Sequence, residues 1–435
     1  PLRETSIDEV SQLFLAASKD PANWMIGMEI ELLGFSRKTL APLDYATIAK
    51  VLESIARRWS MTAETESSGA LIGLKGNGAI ISLEPGGQLE LATRPHPALK
   101  DLRREVCNYV KELRGAALEV DAGFWAMGYQ PFETRESMPK MPKARYDVMR
   151  AYFQKKGGRG LDMMHLTGSV QCAVDYRDEA NMTEKIRTAA RVSPFLAALV
   201  SASPFSRGKV TGFKTERYQV WLETDDERSG IWPEMVDREG LTFRRYISRA
   251  MKAAPFFFLR GGKHLVPSDP KPFAYYVEHD FEGSPITVRD LVDHLTTFFP
   301  EIRPKGYVEL RSTDCVRPEE AVSIAGFWRS ILDDEAVRLE VEERLRPMGY
   351  AELRALQPLV ARLGLSAVSA IGPVSEIAEW LAKLAFERMN AGAPDCAECI
   401  DPLVERAMAG RSPADDMLEI AEKRSIKEAV ASCEV

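Results

Sequence analysis

Long apolar runs are missing from this 435-residue chain. None approaches the roughly 20 residues that a membrane-crossing helix needs. Histidine is scarce, with five residues, and six cysteines are too thinly spread to make a disulfide framework. A dominant charge is missing too. The 57 Lys and Arg stand against 64 Asp and Glu, a formal charge of −7, which argues against nucleic acid or an anionic membrane as the main partner. The first twenty residues, PLRETSIDEVSQLFLAASKD, lack the basic start and apolar core of a secretory signal. No internal repeat, low-complexity segment or linker stands out. The expectation is a soluble, cytoplasmic protein with no nucleic-acid or membrane partner, and by default a monomer.

Two short motifs carry little. KKGGRG at 155–160 lacks the G-x-x-x-x-G-K-[ST] spacing of a phosphate loop and reads as a turn. The C-x-x-C of Cys396 and Cys399 has no second pair at zinc spacing and no thioredoxin-like strand before it, so structural thiols are the expectation.

What is present is a set of carboxylates on strand-like runs. Ile80–Leu91, IISLEPGGQLEL, reads as two strands joined by Pro85-Gly86-Gly87, with Glu84 and Glu90 flanking the turn. In GMEIELLGF, Glu29 and Glu31 are two apart and share one face of a strand. In GYVELRS, Glu309 precedes Arg311 by two. Any one pair could be solvent-facing charge or a partner for arginine. Five carboxylates on three runs point instead to a cation among them, because buried strands rarely keep such groups unpaired. Oxygen donors with little His or Cys suit a hard ion, Mg²⁺ first and Mn²⁺ second.

Helical spacing over Asp44–Trp59, with Asp44 as N-cap, and over Leu99–Leu113 alternates with these strands. Phe124–Tyr129, Met163–Tyr176 and Tyr307–Arg311 would extend the sheet. From about Pro318 the chain turns to helix after helix. The fold class is therefore α+β, with residues 1–345 as the catalytic domain and 346–435 as a helical appendage packed on it.

The chain resembles the plant-type glutamate–cysteine ligases, including their bacterial branch in glutathione or ergothioneine synthesis. The matching segments are GMEIELLGF, IGLKGNGAIISLEPGGQLELA, MGYQPF, MPKARYDVMRAYF, GLDMMHLTGSVQ, WLETDDERSG, DHLTTFFPEIRPKGYVELRS and FWRSILDDE. They occur in the family's order from Gly27 to Glu335.

The resemblance implies a glutamine-synthetase-like fold, a curved antiparallel sheet flanked by helices and cupping the site. It implies ATP and Mg²⁺ as cofactors, L-glutamate as donor and, by default, L-cysteine as acceptor, joined through a γ-glutamyl phosphate. Such a reaction brings two anions together, so it needs metal and arginine around the transferring oxygens. By motif match, Glu29, Glu31, Glu84, Glu90, Glu309 and Gln171 are the metal ligands. Arg311 would meet phosphate or substrate carboxylate, Arg145 lies near glutamate, and Arg217 and Arg228 face the nucleotide, Arg228 and Arg311 acting in catalysis. His165 is placed beside the site on the Gln171 strand.

Departures from the family pattern are Ile30 and Leu32 for His and Lys, Ala173 and Ala202 for two Asn, and Leu166 for an Arg. They leave the acidic set intact and bear on nucleotide contacts, γ-glutamyl orientation and above all the acceptor amine. Two alternatives therefore stand beside the cysteine ligase: a γ-glutamyl ligase for another amine, and a non-catalytic relative that binds glutamate or nucleotide. The family's regulatory disulfide is expected to be absent, because the position that would pair with Cys107 is Val322.

Overall fold

The computed structural model describes residues 5–435. Residues 1–4, the start of the stretch read above for a secretory signal, lie outside the described residues. The strand-like runs assemble into one nine-stranded sheet. Its strands are β1 (Ile26–Ser36), β2 (Thr62–Thr65), β3 (Leu71–Gly76), β4 (Ala79–Leu83), β5 (Leu89–Ala92), β6 (Ala122–Trp125), β7 (Ser169–Val174), β8 (Ile302–Pro304) and β9 (Val308–Asp314). The order is β8-β9-β7-β1-β5-β4-β3-β2, with β6 on the far end of β1, and every pairing is antiparallel.

Alternation sends Ile30, Leu32, Ile81, Leu83, Leu89 and Leu91 to one face, where all are buried. That face is backed by α1 (Tyr45–Trp59), capped by the Asp44 side chain as expected, with α2 (Leu99–Leu118) and a helix at Pro318–Asp333. The other face carries the acidic residues. Their register is fixed by pairing: Glu31 lies opposite Glu90, Glu29 opposite Gln171, and Glu309 opposite Ala173.

The turn between β4 and β5 needs its glycines. Gly87 has φ +87°, and a Cβ on Gly86 would sit 2.1 Å from the carbonyl oxygen of His165. The close approach locks this turn to the chain before β7. Gln88 spans the same junction, accepting from Gly86 N at 2.9 Å and donating to Thr167 O at 2.8 Å.

Two expectations change. Met163–Tyr176 is not one strand: Gly160–Leu166 is helical, and β7 begins at Ser169. In that helix Met163, Met164, His165 and Leu166 are all buried, a pattern no half-buried strand gives, and Thr167 Oγ1 closes the helix on Met163 O at 2.7 Å. Strand structure near Phe124 stops at Trp125, after which Ala126 N donates to Cys433 O. The last ninety residues are helical and pack on the first part of the chain. The helix Tyr350–Leu363 packs on two helices of the first part, and Val435 N donates to Phe124 O at 3.1 Å. No helix among the described residues is long and apolar enough to cross a membrane.

Candidate active site

Three connected cavities lie on the acidic face. The central one, about 520 Å³, is lined by Glu29, Glu31, Glu84, Glu90, Gln171, Arg303, Lys305 and Arg311. It shares Glu31, Glu84, Arg145, Phe299 and Arg311 with a cavity of about 300 Å³ walled by Lys143, Met149, Met163, Met164, Arg217 and Trp221. On the other side it shares Glu29 and Gln171 with a cavity of about 310 Å³ walled by Lys19, Met25, Met28, Ile80, Ala173, Asp175 and Tyr307.

The central carboxylates are poorly served. Glu29 and Glu90 have no hydrogen bond or ion pair among the described residues, while Glu31 accepts from Ser169 Oγ at 2.8 Å and Glu84 from Tyr146 OH at 3.2 Å. Burial raises the pKa of Glu29, Glu31 and Glu84. Glu90 is raised furthest above the usual range, by burial and then by repulsion from Glu29, Glu84 and Glu31.

Among the described residues, no three carboxylate, His or Cys groups converge into a finished coordination shell. The chemistry nonetheless fits a hard divalent cation: four half-buried carboxylates, all oxygen donors, face one space, two of them without a hydrogen bond or ion pair among the described residues, and Glu90 is raised well above the usual range. Gln171 is less free than expected, since its Oε1 is held by Arg311 Nη1.

Glu309, expected as a metal ligand, is paired with three cations. Arg303 grips both its oxygens at 2.6 and 2.9 Å, Lys305 approaches to 2.6 Å and Arg311 to 3.1 Å. Burial opposes ionisation, but these three cations outweigh it and hold Glu309 well below the usual carboxylate range. It is an anchor for cations at the edge of the cluster. Sequence spacing could not show this, because Arg303 reaches it across a hairpin.

Arg228, expected at the nucleotide and in catalysis, is enclosed by aromatic rings. Its guanidinium lies between the rings of Phe256 and Phe298, at 4.2 and 4.9 Å. It donates to Thr297 Oγ1 at 2.8 Å and to Ala254 O, and lines none of the three cavities. His165 sits on the last turn of its helix rather than on β7, and burial lowers it to about 4.

Arg217, Arg311 and Arg145 do reach the site. Arg217 spends its two Nη atoms on the carbonyls of Ser312 and Arg311, at 3.4 and 2.9 Å. Arg217 Nε, Arg311 Nε and Trp221 Nε1 are all buried without a partner among the described residues, and all three residues line the same cavity. Three unmatched donors in one place make a niche for an anion. Trp221 went unnoticed in the sequence, although it lies four residues after Arg217, one turn along the helix Glu216–Leu222. Arg145 opens its helix and donates to Thr296 O at 2.9 Å.

Residues 25–432 match the family described as glutamate–cysteine ligase family 2. The chain belongs to that family. It is 35% identical over 407 residues to the chloroplastic glutamate–cysteine ligase of Brassica juncea, covering 92% of this chain and 78% of that protein. It is 33% identical to the Arabidopsis thaliana chloroplastic enzyme, covering 92% and 77%. Among solved structures, the glutamate–cysteine ligase of Francisella tularensis in complex with AMP shares the fold at a TM-score of 0.59. The identity is 11%, and the match covers 96% of this chain and 88% of that one.

Placed in the fold, this family member's departures separate into two kinds. Leu166 and Ala202 are buried and line none of the three cavities. Ala173 alone of the three lies on a cavity wall, on the side away from Arg217 and Trp221.

Proposed function

We propose that this chain is an ATP-dependent ligase joining the γ-carboxylate of L-glutamate to the amine of L-cysteine, in a glutathione-type pathway. The observation that carries the reading is the row of four under-compensated carboxylates between two cavities, one of them holding three unmatched cationic or N–H donors. The cavity with Met25, Met28, Ile80 and Tyr307 suits an adenine and ribose, and the one with Arg217 and Trp221 suits the amino acids. The γ-carboxylate attacks the terminal phosphorus of ATP and ADP leaves. The amine nitrogen then attacks the acyl carbon, inorganic phosphate leaves, and an amide remains.

Mg²⁺ held by Glu29, Glu31, Glu84 and Glu90 would neutralise phosphate charge. The chain's own groups do the rest. Arg217, Arg311 and Trp221 hold a substrate anion through their free N–H groups. Tyr146, hydrogen-bonded to Glu84 and Leu83 O, fixes the carboxylate nearest the amino-acid cavity. Met149, Met163 and Met164 offer a polarizable apolar wall suited to a small thiol side chain.

The reading with a different acceptor gains little support, since the departures at Leu166 and Ala202 lie outside the walls of these three cavities. Incubation with ATP, Mg²⁺, glutamate and a panel of amines tests it. Phosphate release with cysteine, with γ-glutamylcysteine seen by mass spectrometry, is expected. Turnover with another amine in preference to cysteine, or with none, would overturn it.

A further inference from the structure

Behind the anion niche lies a buried polar cluster that the proposed chemistry leaves unused. Glu301, between β8 and the short strand Phe299–Pro300, is tied down by its backbone: its N donates to Gly230 O at 3.1 Å, and its O accepts from Arg311 N at 2.9 Å. Its carboxylate accepts from Tyr218 OH at 3.1 Å and from Gln357 Nε2. Gln357 Nε2 also donates to Tyr218 OH at 3.2 Å, and Gln357 itself is fully buried. The residues meet from three separate parts of the chain, and the last of them belongs to the C-terminal helical region.

A small cavity joins this cluster to the niche, lined by Glu301, Tyr218, Arg217, Trp221 and Arg311. Arg217, next to Tyr218 in sequence, is buried; burial works against its charge, while Asp314, Glu31 and Glu301 favour it. Altering a neighbouring carboxyl changes both the orientation of such a group and what it can hold. Burial pushes Glu301 up to about 7 against the pull of Tyr218, Arg217, Arg354 and Gln357. A carboxyl kept there at that cost does more than fill space.

We propose that Glu301, held by Tyr218 and by Gln357 from the C-terminal helix, is a positioning residue that aims the Arg217–Arg311 pair at the substrate anion. Glu301 touches neither substrate nor nucleotide and acts through the arginines. The helical tail thereby becomes part of the binding apparatus. The inference rests on the ligase reading only for the identity of the anion, so its test reads binding as well as turnover.

The experiment uses the full chain. L-Glutamate binding is measured by calorimetry and by Trp fluorescence, and kinetics by phosphate release. Glu301→Gln is expected to weaken glutamate binding and raise its KM about tenfold, with kcat within about twofold. The double variant Glu301→Gln with Gln357→Glu restores one amide facing one carboxylate, but places the charge on the helix instead of behind Arg217. It should recover thermal stability without recovering glutamate affinity. Tyr218→Phe, which keeps the ring and loses one donor, should shift affinity in the same direction by a smaller factor and serves if Glu301→Gln does not fold. Unchanged glutamate affinity in the single variants, or affinity recovered together with stability in the double variant, would overturn the proposal. A parent that binds glutamate but releases no phosphate with any amine would sink the ligase reading and leave this test intact.

Discussion

Glu301→Gln makes a second prediction that is independent of substrate. The carboxyl has a folded value of about 7 against an ordinary 4.5, raised first of all by burial. A group raised in this way contributes stability that is fully present below the unfolded value and is lost as pH rises through the folded one. Each pKa unit is ~1.4 kcal/mol, so complete ionisation of Glu301 costs the folded protein about 3 kcal/mol. Glutamine cannot ionise. The variant loses part of the hydrogen bonding to Tyr218 and Gln357 at every pH, but it escapes the ionisation cost. Urea unfolding of both proteins at pH 5, 7 and 9, without metal, isolates the effect, because every other titrating group is common to both. The parent should be the more stable at pH 5, and the difference should move by about 3 kcal/mol in favour of the variant by pH 9. A gap that stays constant across this range would refute the reasoning.

The same sign applies to the central carboxylates. Glu90 lies across the ladder from Glu31 and is raised well above the usual carboxylate range by burial and then by Glu29, Glu84 and Glu31, so Glu90→Gln relieves the folded protein of the cost of ionising it. The metal-free variant should melt higher than the parent, gain less from added Mg²⁺, and lose phosphate release; equal Mg²⁺ stabilisation in both would remove Glu90 from the ligand set. Arg228→Met should destabilise the protein by about 3 kcal/mol, because it leaves buried Asp225 short of a cation. Its KM for glutamate and ATP should stay within about twofold of the parent, and a selective rise in either KM would return Arg228 to the site. Cys107 is exposed and Val322, at the position expected to pair with it, is buried and apolar. Activity should therefore ignore mild oxidants, and a dithiothreitol-reversible loss that vanishes in Cys107→Ser would contradict this.

Much of the sheet could be read from the chain because period-two alternation acts locally. The β4–turn–β5 hairpin, the shared face of Glu29 and Glu31, and the Asp44 cap all follow from residues within a few positions of one another. The run after Gly160 misled because four consecutive buried residues carry no period, and the choice between helix and strand fell to tertiary packing. The surroundings of site residues were not legible where they depended on partners far away in sequence. Arg228 shares a motif with residues of the site, yet Phe256 and Phe298 enclose it from segments with no recognisable signal.

Glu309 looks like Glu29 in one dimension. In three, Arg303 and Lys305 pair with it directly, whereas Glu29 has no hydrogen bond or ion pair among the described residues and burial outweighs the more distant pull of Lys305, Arg311 and Arg303. The distinction matters for how the site works. A carboxylate already matched to cations stays ionised and keeps Arg303, Lys305 and Arg311 at the rim, where they can meet an incoming anion. Carboxylates left unmatched keep their demand for positive charge, which a cation arriving with the nucleotide would satisfy. The division between the two follows from which strand each glutamate occupies: Glu309 on β9 lies across the hairpin from Arg303 on β8, whereas Glu31 lies opposite Glu90 and Glu29 opposite Gln171.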